Sequence, residues 1–159
     1  MDPVIRHWID LWDYLDGNFW HVWQWAAQSL TPAQVGWQPD PKVASIGWNL
    51  QHLGEMLDYY LAHVFACGPA VCPGDLVTMR SGGVDDGRFT DLVAIAEYHK
   101  QVRPAYRRFL ASLTAADFVR VLRHAGNRPL TVAWAVGHIA EHESYHLGKV
   151  TLLRNLLPR

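Results

Sequence analysis

Charge, cysteine and long apolar runs are all scarce in this chain of 159 residues. Charged residues make up 18% of the sequence and the formal net charge is −1, with no run of one sign, which argues against nucleic acid or an anionic membrane as a partner. No apolar run reaches the roughly 20 residues of a membrane span, and no charged leader followed by a short apolar core opens the chain. We therefore expect a cytoplasmic protein that acts on a small molecule.

The two cysteines, Cys67 and Cys72, lie close together in the segment CGPAVC. This spacing permits a disulfide or two ligands of a small zinc site. Because the sequence has no second Cys/His pair at zinc-finger spacing, we interpret them as two reduced thiols in a loop.

Hydrophobic residues, tryptophan and histidine are abundant instead. The hydrophobic share is 50%, which is enough for one domain, residues 1–159, with a proper core. Eight tryptophans indicate large buried surfaces, aromatic pocket walls or an oligomer interface. The nine histidines are the residues from which a functional site can be argued.

Apolar periodicity predicts an all-α fold with four long helices, at about 2–30, 45–67, 91–110 and 131–157. We expect Pro104 to kink or split the third helix, and Arg103, Arg107 and Arg108 to form a solvated face. Residues 68–87 have no periodicity, and residues 119–130 indicate an extended segment and a turn. The predicted architecture is a four-helix bundle with one long crossover between helices 2 and 3.

The last helix carries three histidines at intervals of four residues: His138, His142 and His146. A step of four residues advances about 40° around a helix, so neighbouring histidines share a face. The directions of the surrounding apolar residues place His142 and His146 inside the buried stripe. His138 and His146 are about 12 Å apart along the axis, so we do not expect one ion to bind all three.

Two inward imidazoles one turn apart have two interpretations. They can be core histidines bonded to carbonyls or to Glu143, because an unpartnered buried polar group costs roughly 1–3 kcal/mol. They can also share a divalent ion at about 2.0–2.1 Å per nitrogen, and we favour this for an adjacent pair. Such a site needs a third ligand. His52 lies on the flank of the second helix's apolar stripe, beside Trp48 and Tyr59, although that helix alone favours a hydrogen-bonded or exposed histidine.

Two segments together resemble the DinB/YfiT-like family of metal-dependent enzymes. SIGWNLQHLGEMLDYYL resembles the family's second helix, where a serine-capped apolar run carries one ligand histidine. RPLTVAWAVGHIAEHESYHLGKV resembles its last helix, with the usual pattern H-x3-H-E-x2-H-R-G-Q, although Leu147-Gly148-Lys149 stands here in place of R-G-Q. The resemblance implies a four-helix bundle with a divalent ion held by His52, His142 and His146.

Three neutral imidazoles with open positions are typical of a catalytic ion, and nitrogen ligands suit zinc or nickel, with iron(II) and manganese second. The ion could activate water or stabilise a bound thiolate. The resemblance implies the thiolate, since relatives include a mycothiol-dependent maleylpyruvate isomerase and transferases that attach bacillithiol or glutathione to electrophiles. We therefore expect a metal-dependent thiol S-transferase in detoxification or stress response. A metal-dependent hydrolase and a non-catalytic, dimeric metal-binding stress protein are the alternatives.

Several further residues are candidates for the same site. Glu143 and Glu55 could orient an imidazole, and Tyr145 and His138 could contact substrate or move a proton. For substrate binding the candidates are Trp48, Glu55 and Tyr59, with core packing or ordinary surface as the alternative. The back of the last helix is small and nearly uncharged, which fits a homodimer interface or an exposed face: Gly137, Ala140, Ser144, Gly148 and Thr151.

Overall fold

The computed structural model describes residues 2–71, 76–80, 85–125 and 128–158. Four long helices dominate it: α1 (Pro3–Val22), α3 (Ile46–Tyr59), α5 (Leu92–Ser112) and α7 (Val132–Leu156). Shorter helices lie between them: α2 (Pro32–Val35), α4 (Val77–Arg80) and α6 (Ala115–Phe118). The predicted all-α, four-helix bundle is confirmed, and α1 and α3 each continue into a π-helical turn, Trp23–Ala27 and Tyr60–Val64.

A polar side chain caps the start of each long helix, where backbone N–H groups lack helical partners. Asp2 accepts from the amide of Val4 at 2.8 Å, with Pro3 as the first helical residue. The other three caps accept from an amide three residues on: Ser45 at 3.1 Å, Asp91 at 3.0 Å and Thr131 at 3.2 Å. These caps confirm the predicted helix starts.

The connection from α3 to α5 is the long crossover, and α4 lies within it. Cys72 lies outside the described residues, whereas Cys67 is an exposed free thiol. Between α5 and α7, the predicted extended segment forms a two-stranded antiparallel ladder of β1 (Val121–Ala125) and β2 (Arg128–Thr131). Within the described ranges, no helix is long and apolar enough to cross a membrane.

Two predictions for α5 fail in part. The helix is not split at Pro104 but runs through it without a break, because buried side chains on both sides of it, Val102 and Tyr106 among them, pack into the bundle and offset the lost hydrogen bond. Arg103 is only 2% exposed and is not part of a solvated face. Its guanidinium pairs with Asp16 of α1 and Glu143 of α7, whereas Arg107 and Arg108 are exposed as expected.

The apolar core fills the space between the four long helices in two clusters. One cluster joins the first half of each of α1 and α7 to the second half of each of α3 and α5. The other joins the end of α1 to the start of α3 and the end of α7. The histidines of α3 and α7 face each other between these elements, because α3 and α7 pack directly together.

Candidate metal centre

Three histidines from two helices converge in the structure. α3 presents His52, and α7 presents His142 and His146 one turn apart. Their candidate ligand nitrogens all lie within 4.8 Å of one another, and the Nε2 atoms of His52 and His142 are 3.3 Å apart. Two nitrogens that bind one tetrahedral ion at about 2.0–2.1 Å would lie roughly 3.3–3.4 Å apart. The nitrogens of His52 and His142 therefore already have this spacing, and that of His146 lies within 4.8 Å of them.

Asn49 fixes the orientation of the His146 ring. The Asn49 amide nitrogen donates to the carbonyls of Ala44 at 3.1 Å and Ser45 at 2.7 Å, so its oxygen is left to face His146. That oxygen lies 2.7 Å from Nδ1 of His146 and can only accept. The proton of the neutral ring is therefore on Nδ1, and Nε2 keeps a free lone pair.

Thr78, which lies in the crossover, fixes the orientation of the His52 ring in the same way. Its hydroxyl donates to Oε2 of Glu55 at 2.6 Å, and its amide donates to the same oxygen at 2.6 Å. Because the hydroxyl proton is used there, the oxygen accepts from Nδ1 of His52 at 3.0 Å. Nε2 of His52 is thus also left with a lone pair, as a metal ligand requires.

Burial keeps the three imidazoles neutral. It is the main cause of the lowered pKa values, which fall to about 3 for His52, about 4 for His142 and about 2 for His146. Neighbouring imidazoles and the ammonium of Lys149 lower them further. Neutral imidazole is the form that binds metal, so at neutral pH the cluster needs no deprotonation.

Among the described side chains, Nδ1 of His142 is a buried polar atom without a hydrogen-bond partner. Hydrogen bonds fix the Nδ1 protons of His52 and His146, so each of these rings offers its Nε2 lone pair. The tautomer of His142 is not fixed by a hydrogen bond at Nδ1. This set of three imidazoles fits a divalent ion.

Several candidate residues lie at the cluster. Trp48 stacks on the His52 ring, with centroids 4.6 Å apart and planes at 17°. Glu55 is buried and reaches His52 only through Thr78. Tyr145 is 56% exposed, with its ring 5.1 Å from that of His146.

The other three candidates differ in their relation to the cluster. Glu143 is buried, but both of its oxygens accept from Nη1 of Arg103 at 3.1 and 3.2 Å, so it orients an arginine and not an imidazole. His138 lies beside the cluster, with its ring 5.6 Å from that of His142, and it also stacks on Trp134 at 5.1 Å and pairs with Glu141. Tyr59 faces a different cavity, which it shares with His63 and Arg123.

Sequence reasoning missed Asn49, Thr78 and Lys149. Asn49 carried a weak signal, since it is a polar residue inside an apolar run three positions before His52. Thr78 lies in the aperiodic crossover and had none. Lys149 was noted only as a departure from the family pattern.

A cavity of about 660 Å³ opens beside His52 and His146. Its walls come from the segment before α3, from α4 and from the last turns of α7. A bound ion would therefore be reachable from a space large enough for a small-molecule ligand.

Comparisons with known proteins agree with this architecture. A conserved protein from Enterococcus faecalis has the same fold, with a TM-score of 0.78 and 13% identity over 98% of both chains. YfiT from Bacillus subtilis, described as a probable metal-dependent hydrolase with an unusual four-helix bundle topology, has a TM-score of 0.69 and 17% identity over 98% of this chain and 89% of its own. No curated protein matches the sequence. The DinB superfamily model matches residues 18–150, and the chain therefore belongs to the DinB superfamily.

Proposed function

We propose that this protein is a metal-dependent enzyme in which His52, His142 and His146 hold one divalent ion, zinc or nickel by preference. The observation that carries the proposal is the pair of hydrogen bonds that His146 and His52 donate to Asn49 and Thr78. Two rings on different helices, each held with its Nδ1 proton engaged and its Nε2 directed inward, are the arrangement that metal ligands use in proteins.

The proposed reaction is the transfer of a low-molecular-weight thiol, of the bacillithiol or glutathione type, to a small electrophile. A bound divalent ion lowers the pKa of a thiol and so supplies a thiolate at neutral pH. The protein's contribution is to hold the imidazoles neutral, to fix His52 and His146 through Thr78 and Asn49, and to shield one side of the site with Trp48. A role in detoxification or stress response, in the cytoplasm, belongs to the same proposal.

A second candidate is hydrolysis, which the likeness to YfiT, described as a probable metal-dependent hydrolase, favours. The same lowering of pKa then applies to a water molecule. The homodimer interface predicted on the small face of α7 stays a prediction. A dimer that binds metal but turns over no substrate would correspond to the non-catalytic metal-binding stress protein.

Activity assays separate these functions. Zinc-loaded protein is incubated with glutathione or bacillithiol and 1-chloro-2,4-dinitrobenzene, and in parallel with nitrophenyl esters without thiol. The transferase predicts thiol-dependent conjugation that His52→Ala abolishes and that His63→Ala, an exposed histidine on the same helix's continuation, leaves intact. Ester turnover without thiol would assign the hydrolase, and a metal-loaded protein inactive in both assays would contradict both enzymatic functions.

A further inference from the structure

The cavity beside the histidine cluster has mostly apolar walls, and two lysine side chains give it a positive charge. Its lining combines two lysines with six large apolar residues: Lys42, Lys149, Val43, Trp48, Met79, Leu152, Leu153 and Leu156. Within the part of the chain that the structure describes, no aspartate or glutamate lines it. Its volume of about 660 Å³ falls in the range of sites that bury a small organic ligand.

The lysines are concentrated here. The chain has three lysines, and two of them, Lys42 and Lys149, line this cavity. The third, Lys100, pairs with Glu97 at 2.6 Å on an exposed face of α5. For Lys42 and Lys149, no ion pair with a described carboxylate is found, so both charges are available to a ligand.

Lys149 is the lysine nearest to the cluster. It follows His146 by three residues on α7, and its charge contributes to the lowered pKa of His52, His142 and His146. The Tyr145 ring lies 4.2 Å from its ammonium, and this cation–π contact holds the charge at the cavity wall. All three imidazoles are neutral ligands, so a divalent ion there would keep its full charge. An anion that binds between or beside these two cations would be stabilised by both charges.

The remaining wall would cover an apolar body. Val43, Leu152 and Leu156 are large apolar side chains that are 40%, 58% and 51% exposed, and all three line this one cavity. Trp48 and Leu153 continue the wall inward. Apolar surface gathered around one opening is stabilised by a ligand that removes it from water.

We propose that the site takes an amphipathic organic anion, whose head group pairs with Lys149 and whose apolar body lies along Val43, Leu152 and Leu156. The inference rests on the proposed function in placing this ligand at the metal centre as the substrate. The head group is a carboxylate or a phosphate, since an ammonium binds either as a point charge. Lys42, an exposed residue of the same lining, favours the approach of the same charge.

Isothermal titration calorimetry with octanoate and octyl phosphate, against the neutral octanamide, tests this on zinc-loaded and on metal-free protein. We expect at least one of the two anions to bind at least tenfold more tightly than octanamide. Lys149→Met should weaken that anion at least tenfold, Lys149→Arg should retain most of the affinity, and octanamide should be insensitive to both. Lys100→Met is the matched control and should change nothing. Acetate, which has the charge without the apolar body, should bind more weakly than octanoate.

The outcomes separate this inference from the metal centre. Metal content is measured on every variant. Anion binding that depends on Lys149 in protein without metal would support the ligand class even if the proposed metal centre failed. Equal binding of octanamide and both anions, or an effect of Lys100→Met as large as that of Lys149→Met, would overturn the inference while leaving the histidine site standing.

Discussion

Replacing Arg103 by methionine is expected to destabilise the protein far more than any other single arginine change on α5. The Arg103 guanidinium lies between the rings of Trp12 and Phe19, at 4.8 and 4.1 Å. Its Nη1 donates to both oxygens of Glu143, which is fully buried. The substitution leaves that carboxylate inside the bundle without its cation.

The expected loss of stability follows from the Glu143 carboxylate that the substitution leaves unpaired. Removing one partner of a buried pair costs about 3–5 kcal/mol, because the remaining charge is uncompensated. Arg107, one turn further along the same helix, makes an exposed pair with Asp13, and Arg107→Met should cost only about 0–1 kcal/mol. The double change Arg103→Met with Glu143→Leu removes both charges and should recover most of the loss, since well-packed apolar replacements of buried pairs are often neutral.

The stability lost in Arg103→Met is expected to depend on pH. Burial raises the pKa of Glu143, and Arg103 opposes that rise, so without Arg103 the pKa of Glu143 rises further. A carboxyl group whose pKa is higher in the folded state stabilises below its unfolded pKa and loses that stabilisation as pH increases. The deficit of Arg103→Met should therefore be larger at pH 8 than at pH 5.

Urea unfolding of metal-free protein, followed by far-UV circular dichroism, measures these differences. Three results would refute the reasoning. They are a cost for Arg103→Met no greater than that for Arg107→Met, a double variant as unstable as the single one, and a deficit that shrinks as pH rises.

Three further predictions use the same purified protein. Thr78→Val should weaken zinc binding roughly 10–100-fold in a chelator competition, because His52 loses its hydrogen-bond acceptor. Thr78→Ser keeps the hydroxyl and should bind zinc as the parent does. Equal zinc affinities of Thr78→Val and the parent would exclude a role for the Glu55–Thr78–His52 hydrogen bonds. Burial lowers the pKa of His99 to about 3 from 6.5, so the unfolded state binds more protons below pH 6.5 and stability falls as pH falls. Between pH 7 and pH 5 this should cost about 2 kcal/mol. Because His52, His142 and His146 contribute similar losses over this range, urea titrations should find the total loss smaller by about 2 kcal/mol in His99→Gln. Finally, Gly17→Ala should stabilise α1 by about 0.5–1 kcal/mol, since no neighbouring atom lies within 4 Å of the added Cβ. Gly47→Ala should destabilise the protein, because its Cβ would overlap the Phe89 carbonyl. A higher melting temperature for Gly47→Ala than for Gly17→Ala would contradict the packing described around these two glycines.

Features that depend on neighbouring residues could be predicted from the sequence. The caps at Asp2, Ser45 and Thr131 are local hydrogen bonds between residues two or three positions apart. The inward direction of His142 and His146 follows from helical geometry alone. These local rules predict the helices and two of the three histidines of the cluster.

Features that depend on distant residues could not be predicted. Arg103 and Arg107 look alike in sequence, and only Asp16 and Glu143, 87 and 40 positions away, make one of them a core residue. Glu143 was predicted to orient an imidazole; it is buried, but helical direction does not say whether its partner is an imidazole or a guanidinium.

Predicting the three-histidine ligand set required both helical geometry and the family resemblance. His52 lies on the flank of α3, and the residues of that helix alone favoured a hydrogen-bonded or exposed ring. Its partner Thr78 lies 26 positions away in a segment without periodicity. The resemblance to the DinB/YfiT-like family supplied His52, and the structure brings its Nε2 to 3.3 Å from that of His142.

Metal analysis of purified protein tests the coordination of a shared ion most directly. Elemental mass spectrometry after zinc loading and gel filtration should find about one ion per chain in the parent, since three neutral imidazoles make one site. The content should be the same in His63→Ala and much lower in His52→Ala. As much zinc in His52→Ala as in the parent would contradict the account.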